Sequence, residues 1–141
     1  MKQKFRDWFL NVDKPSQGNY NLADRKYSFV NLYKDEVPFH EELSTYISSL
    51  HSISNTYYDL YHLHTWNEGD FFDEHIDNNF GRKWAYVCEL KSSDCNTSLL
   101  VEGEEFKEGV FDSTTAHNLP PVKRGTRISL TVFGLPIKTL V

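Results

Sequence analysis

Apolar residues recur along this chain with two different periods, and the change falls near residue 55. Before it the spacing is helical. Phe5, Trp8 and Phe9 share one side of a 3.6-residue repeat, which predicts a short amphipathic helix at the start. Lys14-Pro15-Ser16-Gln17-Gly18-Asn19 is a cluster of turn formers, and Tyr27 to Tyr33 reads as a strand. Pro38 opens the clearest helix, because proline lacks only a donor that the first turn would leave unused. Phe39, Leu43, Tyr46, Ile47 and Leu50 then form one stripe, and the Ser-Asn cluster at 52–55 ends it.

Beyond that point the period is two. Strands are predicted over Tyr57 to Trp66, Phe71 to Asp77, Arg82 to Leu90, Ser98 to Glu102, Gly109 to Asp112 and Arg127 to Phe133. Asn67-Glu68-Gly69-Asp70 and Asn78-Asn79 supply the turns between the first three. Short strands at this spacing indicate a sandwich, a barrel or a jelly roll. The expected organisation is one domain over 1–141, with a helical support region (1–55) and a β core (56–141).

The composition narrows the function. Length 141 fits one compact domain, and 39% hydrophobic residues suffice for one core. Aromatics reach 15%, as suits a β fold with a lined pocket. The formal charge is −5, and Lys123-Arg124 is the densest basic cluster near the C-terminus, which argues against a duplex nucleic acid partner. Cys88 and Cys95 are too few for a disulfide scaffold and read as thiols of a reducing compartment. No apolar run has the length of a membrane span, and no apolar stretch follows the charged N-terminus as in a secretory signal. The expectation is a cytoplasmic protein with no membrane partner. The sequon Asn96-Thr97-Ser98 is then a chance match.

The chemistry concentrates in Gly69-Asp70-Phe71-Phe72-Asp73-Glu74-His75-Ile76-Asp77. On an extended strand, residues i and i+2 share a face with roughly 6.5–7 Å of rise between them. His75 and Asp77 therefore converge, with Ile76 expected to pack on the opposite side. His117, forty positions after Asp77, is the best third ligand. Two histidines and one carboxylate form the facial triad of non-haem iron, which leaves coordination positions open, and no thiolate lies nearby in sequence to favour zinc. Ten residues after His117, Arg127-Ile128-Ser129-Leu130-Thr131 places Arg127, Ser129 and Thr131 on one strand face, with Phe133 at its end. A guanidinium pointing into a β-barrel is costly unless it meets an anion, and its fork matches a carboxylate.

The segment from Trp66 to Asp77, His117, the pair Pro121-Val122 and Gly125-x-Arg127-x-Ser129 together resemble the iron(II)/2-oxoglutarate-dependent dioxygenases, in particular their prolyl-hydroxylase-like branch. The resemblance spans about residues 57–135. It implies a double-stranded β-helix, the cupin-like jelly roll, of α+β but mainly β class, with N-terminal supporting helices. It implies that His75, Asp77 and His117 hold Fe(II), and that Arg127, helped by Ser129, binds the distal carboxylate of 2-oxoglutarate. The cosubstrates would be 2-oxoglutarate and O2, with ascorbate as an accessory reductant. The reaction would hydroxylate a C–H bond, on a peptide or protein residue such as proline.

Two departures stand out. Relatives often place a tyrosine where Thr65 or Trp66 falls here, and another near Glu89 or Tyr86. Alternatives are a nucleobase or small-molecule oxygenase of the same superfamily, or a cupin-like protein that binds a metal or ligand without turnover. His62-x-His64 followed by Glu68 copies a cupin spacing, but Thr56 stands where cupins place a glycine. Tyr61, Leu63 and Thr65 are expected to face the pocket, and His62 and His64 to face away.

Overall fold

A computed structural model describes residues 1–50, 56–92 and 97–136. The helix-ending cluster at 52–55, Cys95 and Asn96 of the sequon lie outside the described residues. Two helices, α1 (Gln3–Leu10) and α2 (His40–Ser49), lie along one face of a curled sheet. α1 buries Phe5 and Phe9. Phe39, just ahead of α2, stacks on Phe5 at 4.2 Å between centroids and receives the edges of Trp8 and Phe9. Pro38 stands in a turn before α2, whose buried side is His40, Leu43 and Ile47. Leu50, expected in that stripe, falls past the last turn and is exposed.

The strands are β1 (Gly18–Asn21), β2 (Arg25–Tyr33), β3 (Thr56–Trp66), β4 (Phe71–His75), β5 (Trp84–Lys91), β6 (Leu99–Val101), β7 (Glu104–Phe106), β8 (Glu108–Asp112), β9 (His117–Leu119) and β10 (Arg127–Pro136). Their order is β7-β6-β9-β4-β2-β3-β10-β5-β8, with β1 paired to β2, and every pairing is antiparallel. Residues from β6, near one end of that order, and β8, at the other, line the same cavity, so the sheet wraps around it. This is the expected jelly roll, mainly β with supporting helices. Among the described residues, no helix is long and apolar enough to cross a membrane.

The two faces of the sheet are sorted by chemistry. The helix-facing side contributes Leu32, Tyr58, Tyr61, Leu63, Tyr86, Leu130 and Val132 to one core with Phe5, Phe9, Leu43 and Ile47. Each aliphatic side chain fully buried there is worth about 1.5–3 kcal/mol. The other side faces the cavity. β3 serves both by alternation, and a bulge near its start resets the phase. Leu60 pairs with Phe133 and Tyr58 with Gly134, so Asp59 is the extra residue. The bulge shifts the alternation by one, which lets Tyr58 and Tyr61 face the same helical layer. Gly134 is required by closeness, since a Cβ there would lie 2.6 Å from Thr56 Cγ2 and 2.8 Å from the Tyr58 ring.

That register also corrects the expected faces of β3. Trp66, His64 and His62 are the partners of Arg127, Ser129 and Thr131, and cross-strand partners share a face. His62 and His64 therefore line the cavity, while Tyr61 and Leu63 join the helix-side core and Thr65 lies over that same outer face.

Candidate active site

His75 is the last residue of β4, and His117 the first of β9. The two are register partners in adjacent antiparallel strands, which is how residues so far apart in sequence come to stand side by side. Asp77 follows two residues after His75, where the chain has left the strand. Its backbone is fixed by its N–H donating to Ser113 O at 2.7 Å. The fully buried Ser113 hydroxyl lies 3.2 Å from Asp77 O, 3.0 Å from Arg82 O and 2.8 Å from Lys83 O. Ile76 is not packed on the opposite side as expected; it is 62% exposed, because strand geometry has already ended. The loop beyond is tied back to the β3 bulge. Arg82 donates to both carboxylate oxygens of Asp59, at 2.8 and 2.6 Å, and from Nη1 to Asn79 O.

The ligand atoms of His75, Asp77 and His117 all lie within 4.8 Å of one another. Each imidazole is oriented by the carbonyl two residues before it. His75 Nδ1 contacts Asp73 O and His117 Nδ1 contacts Thr115 O, both at 2.7 Å. A carbonyl can only accept, so both Nδ1 atoms donate, and each neutral ring turns its Nε2 lone pair towards Asp77. Asp77 Oδ2 is 2.9 Å from His117 Nε2 and 3.6 Å from His75 Nε2. Two lone pairs and a carboxylate so close need a positive charge among them, either extra protons or a divalent cation. Burial pushes the Asp77 carboxyl up, but with protons on the two Nε2 atoms the hydrogen bonds and charges of His117 and His75 outweigh it and hold it well below the usual carboxylate range. This N2O donor set on one face suits a non-haem iron site.

Aromatic rings brace the histidines. Phe72 stacks on His75 at 3.5 Å between centroids, the Arg25 guanidinium lies 4.5 Å over the Phe72 ring, and Phe111 meets His117 edge to face. The cavity beside them is about 180 Å³. Its inner wall carries Arg127, Ser129, Thr131 and Phe133 on alternate positions of β10, as the sequence predicts. Arg127 is 2% exposed, and its Nη2 is buried without a hydrogen-bond partner. Its Nε lies 3.4 Å from Glu89 Oε1. Burial pulls Arg127 below the usual guanidinium range, with Glu89 offsetting part of that effect. Trp66 occupies the place left open between Thr65 and Trp66, and its indole N–H donates to Ser129 Oγ at 3.1 Å. Of Glu89 and Tyr86, it is Glu89 that reaches Arg127; Tyr86 donates to Glu108 in the helix-side layer.

Pro121-Val122 acts as a brace. Val122 is buried and exchanges backbone hydrogen bonds with the Gly69-Asp70 turn ahead of β4. His62, His64 and Arg25 are among the cavity residues that sequence reasoning did not place there. The signal for the first two was their alternation with Trp66. Burial drives His62 down to about 4 and His64 well below the usual imidazole range, so both are neutral donors near neutral pH.

No protein-family profile and no curated protein matches this sequence. Solved structures do match its fold. The viral collagen prolyl hydroxylase of Paramecium bursaria Chlorella virus-1, solved with 2OG, superposes with a TM-score of 0.61 over 81% of this chain and 81% of that one, at 15% identity. A 2OG-Fe(II) oxygenase family oxidoreductase from Burkholderia pseudomallei gives 0.67 over 94% and 77%, at 11% identity. A Pseudomonas putida prolyl-4-hydroxylase gives 0.63 over 85% and 77%, at 17% identity. The chain thus has the fold on which 2OG-Fe(II) oxygenases are built.

Proposed function

We propose that this chain is an iron(II)- and 2-oxoglutarate-dependent dioxygenase that hydroxylates a C–H bond, with a peptidyl residue such as proline as substrate. One observation carries the reading: a His-Asp-His triad and a buried guanidinium with an unpartnered Nη2 face the same small cavity. His75, Asp77 and His117 would hold iron through two imidazole nitrogens and one carboxylate. Arg127 and the Ser129 hydroxyl, whose oxygen already accepts from Trp66, would take the distal carboxylate of 2-oxoglutarate. When bound, iron(II) would supply the redox chemistry by which O2 gives one oxygen atom to succinate, as 2-oxoglutarate loses CO2, and the other to a substrate C–H bond. The carbonyls of Asp73 and Thr115 keep both Nδ1 protons in place, so the ligating nitrogens stay free of protons. The aromatic walls keep water from the reacting face.

A peptide is favoured over a smaller substrate by size and by surface. The cavity is smaller than the roughly 300–1,000 Å³ of common small-molecule sites, so a diacid fills it and the bulk of a substrate stays outside. Ile76 and Phe80, strongly exposed, flank the cavity residues Asp77 and Asn79 and offer apolar surface there. The formal charge of −5 speaks against nucleic acid. The test is succinate release from 2-oxoglutarate with Fe(II) and ascorbate, with proline-containing peptides, nucleotides and small acids offered in turn. Peptide-stimulated turnover, and loss of bound iron in His75→Ala, are expected. No decarboxylation with any class, together with unchanged iron in His75→Ala, would end the proposal.

A further inference from the structure

Glu89 of β5 is the register partner of Ser129 in β10, so its side chain stands on the cavity side, against Arg127. Both its oxygens are engaged: Oε1 faces Arg127 Nε at 3.4 Å, and Oε2 accepts from Ser92 Oγ at 3.2 Å. With a side chain only 10% exposed, it has little room to swing away. Nε of the guanidinium is thus already matched by a carboxylate, while Nη2 has no partner. A diacid tail at Nη2 would place a second carboxylate on the same guanidinium. Among the described residues, Arg25 is the one other Lys or Arg lining the cavity, and it is paired with Asp24. Arg25 spends its Nη2 on Asp24 at the surface and keeps only a buried, unpartnered Nε, so the second negative charge meets at most part of one further cation. What the cavity offers in plenty is uncharged donors: His62, His64, Ser129 and Thr131.

We propose that Glu89 sets the cosubstrate preference of this pocket by half-neutralising Arg127, so that a 2-oxo acid with an uncharged tail competes with 2-oxoglutarate. This rests on the dioxygenase reading, because it assumes that a 2-oxo acid lies between the triad and Arg127. Two carboxylates sharing one buried guanidinium repel strongly enough to weaken diacid binding by about tenfold or more.

The test is titration calorimetry with Mn(II) as a metal that supports binding without turnover. It compares 2-oxoglutarate with 2-oxopentanoate, which has a methyl group in place of the distal carboxylate. Wild-type protein is expected to prefer the diacid by less than about tenfold. Glu89→Gln keeps an oxygen for Arg127 Nε but removes the charge. It is expected to tighten 2-oxoglutarate by about tenfold or more, leave 2-oxopentanoate unchanged, and enlarge the rise in melting temperature that 2-oxoglutarate produces. A residue that merely held Arg127 in position would move both acids alike or weaken the diacid, and either result overturns the proposal. A wild-type preference for the diacid above about a hundredfold overturns it without any variant, so the test survives a variant that does not fold. If Mn(II) binds and neither acid follows it, the cosubstrate reading itself falls.

Discussion

Replacing His62 with leucine should flatten the acid limb of this protein's stability curve. His62 lies on the cavity side of β3 with its ring edge-on to Phe133 at 4.9 Å, and burial lowers it from 6.5 to about 4. The unfolded chain takes up a proton at His62 near pH 6.5, while the folded chain refuses it until about pH 4. The stability at stake is therefore fully present above 6.5, declines as pH falls through that value, and is gone once pH has passed the folded value. At about 1.4 kcal/mol per unit, the window of about 2.5 units amounts to about 3 kcal/mol. The assay is urea unfolding of metal-free protein at about pH 7.5 and about pH 4.5, for wild type and His62→Leu. Wild type should lose more stability between the two conditions, by about 2–3 kcal/mol. His40, on whose shift His62 has no influence, is common to both proteins and cancels in the difference. Equal losses in the two proteins would refute the reasoning, and with it the placement of His62 in a low-dielectric wall.

Gly134→Ala should destabilise the fold by about 1–3 kcal/mol through overpacking against Thr56 and Tyr58, read as a lower urea midpoint with an unchanged slope. Ser113→Ala should cost about 1–2 kcal/mol, because it strips a buried hydroxyl from the carbonyls of Asp77, Arg82 and Lys83. The same variant should weaken metal binding by roughly tenfold in a Mn(II) titration, since the lost hydroxyl is in contact with Asp77 O and helps hold the backbone that aims Asp77.

The sequence carried the architecture wherever an element was long enough to show its period. α1, α2, β2, β3, β5 and β10 were legible because each spans eight or more residues with an apolar face turned to a core. β1, β7 and β9 are three or four residues long, too short for alternation to register, yet β9 delivers His117. That histidine was found through ligand chemistry instead, and its place opposite His75 belongs to pairing that no local pattern encodes. Arg127 and Ser129 were legible because a charged residue in an otherwise apolar strand needs a reason. The inward face of β3 was misread because Tyr61 and Leu63 look like pocket lining; they are buried, but under the helices. Amphipathic alternation says that two faces differ, and what covers each face decides which one holds the site.

The added residue in β3 also constrains how this molecule can change length. Asp59 shifts the alternation that sends Tyr58 into the core, and its carboxylate is the mooring for Arg82 in the loop leaving Asp77. A deletion at this point would swing Tyr57 and Tyr58 through half a turn and cast that loop adrift at the same time. Core and cavity rim are therefore inherited together: a descendant could lose this residue only by rebuilding both.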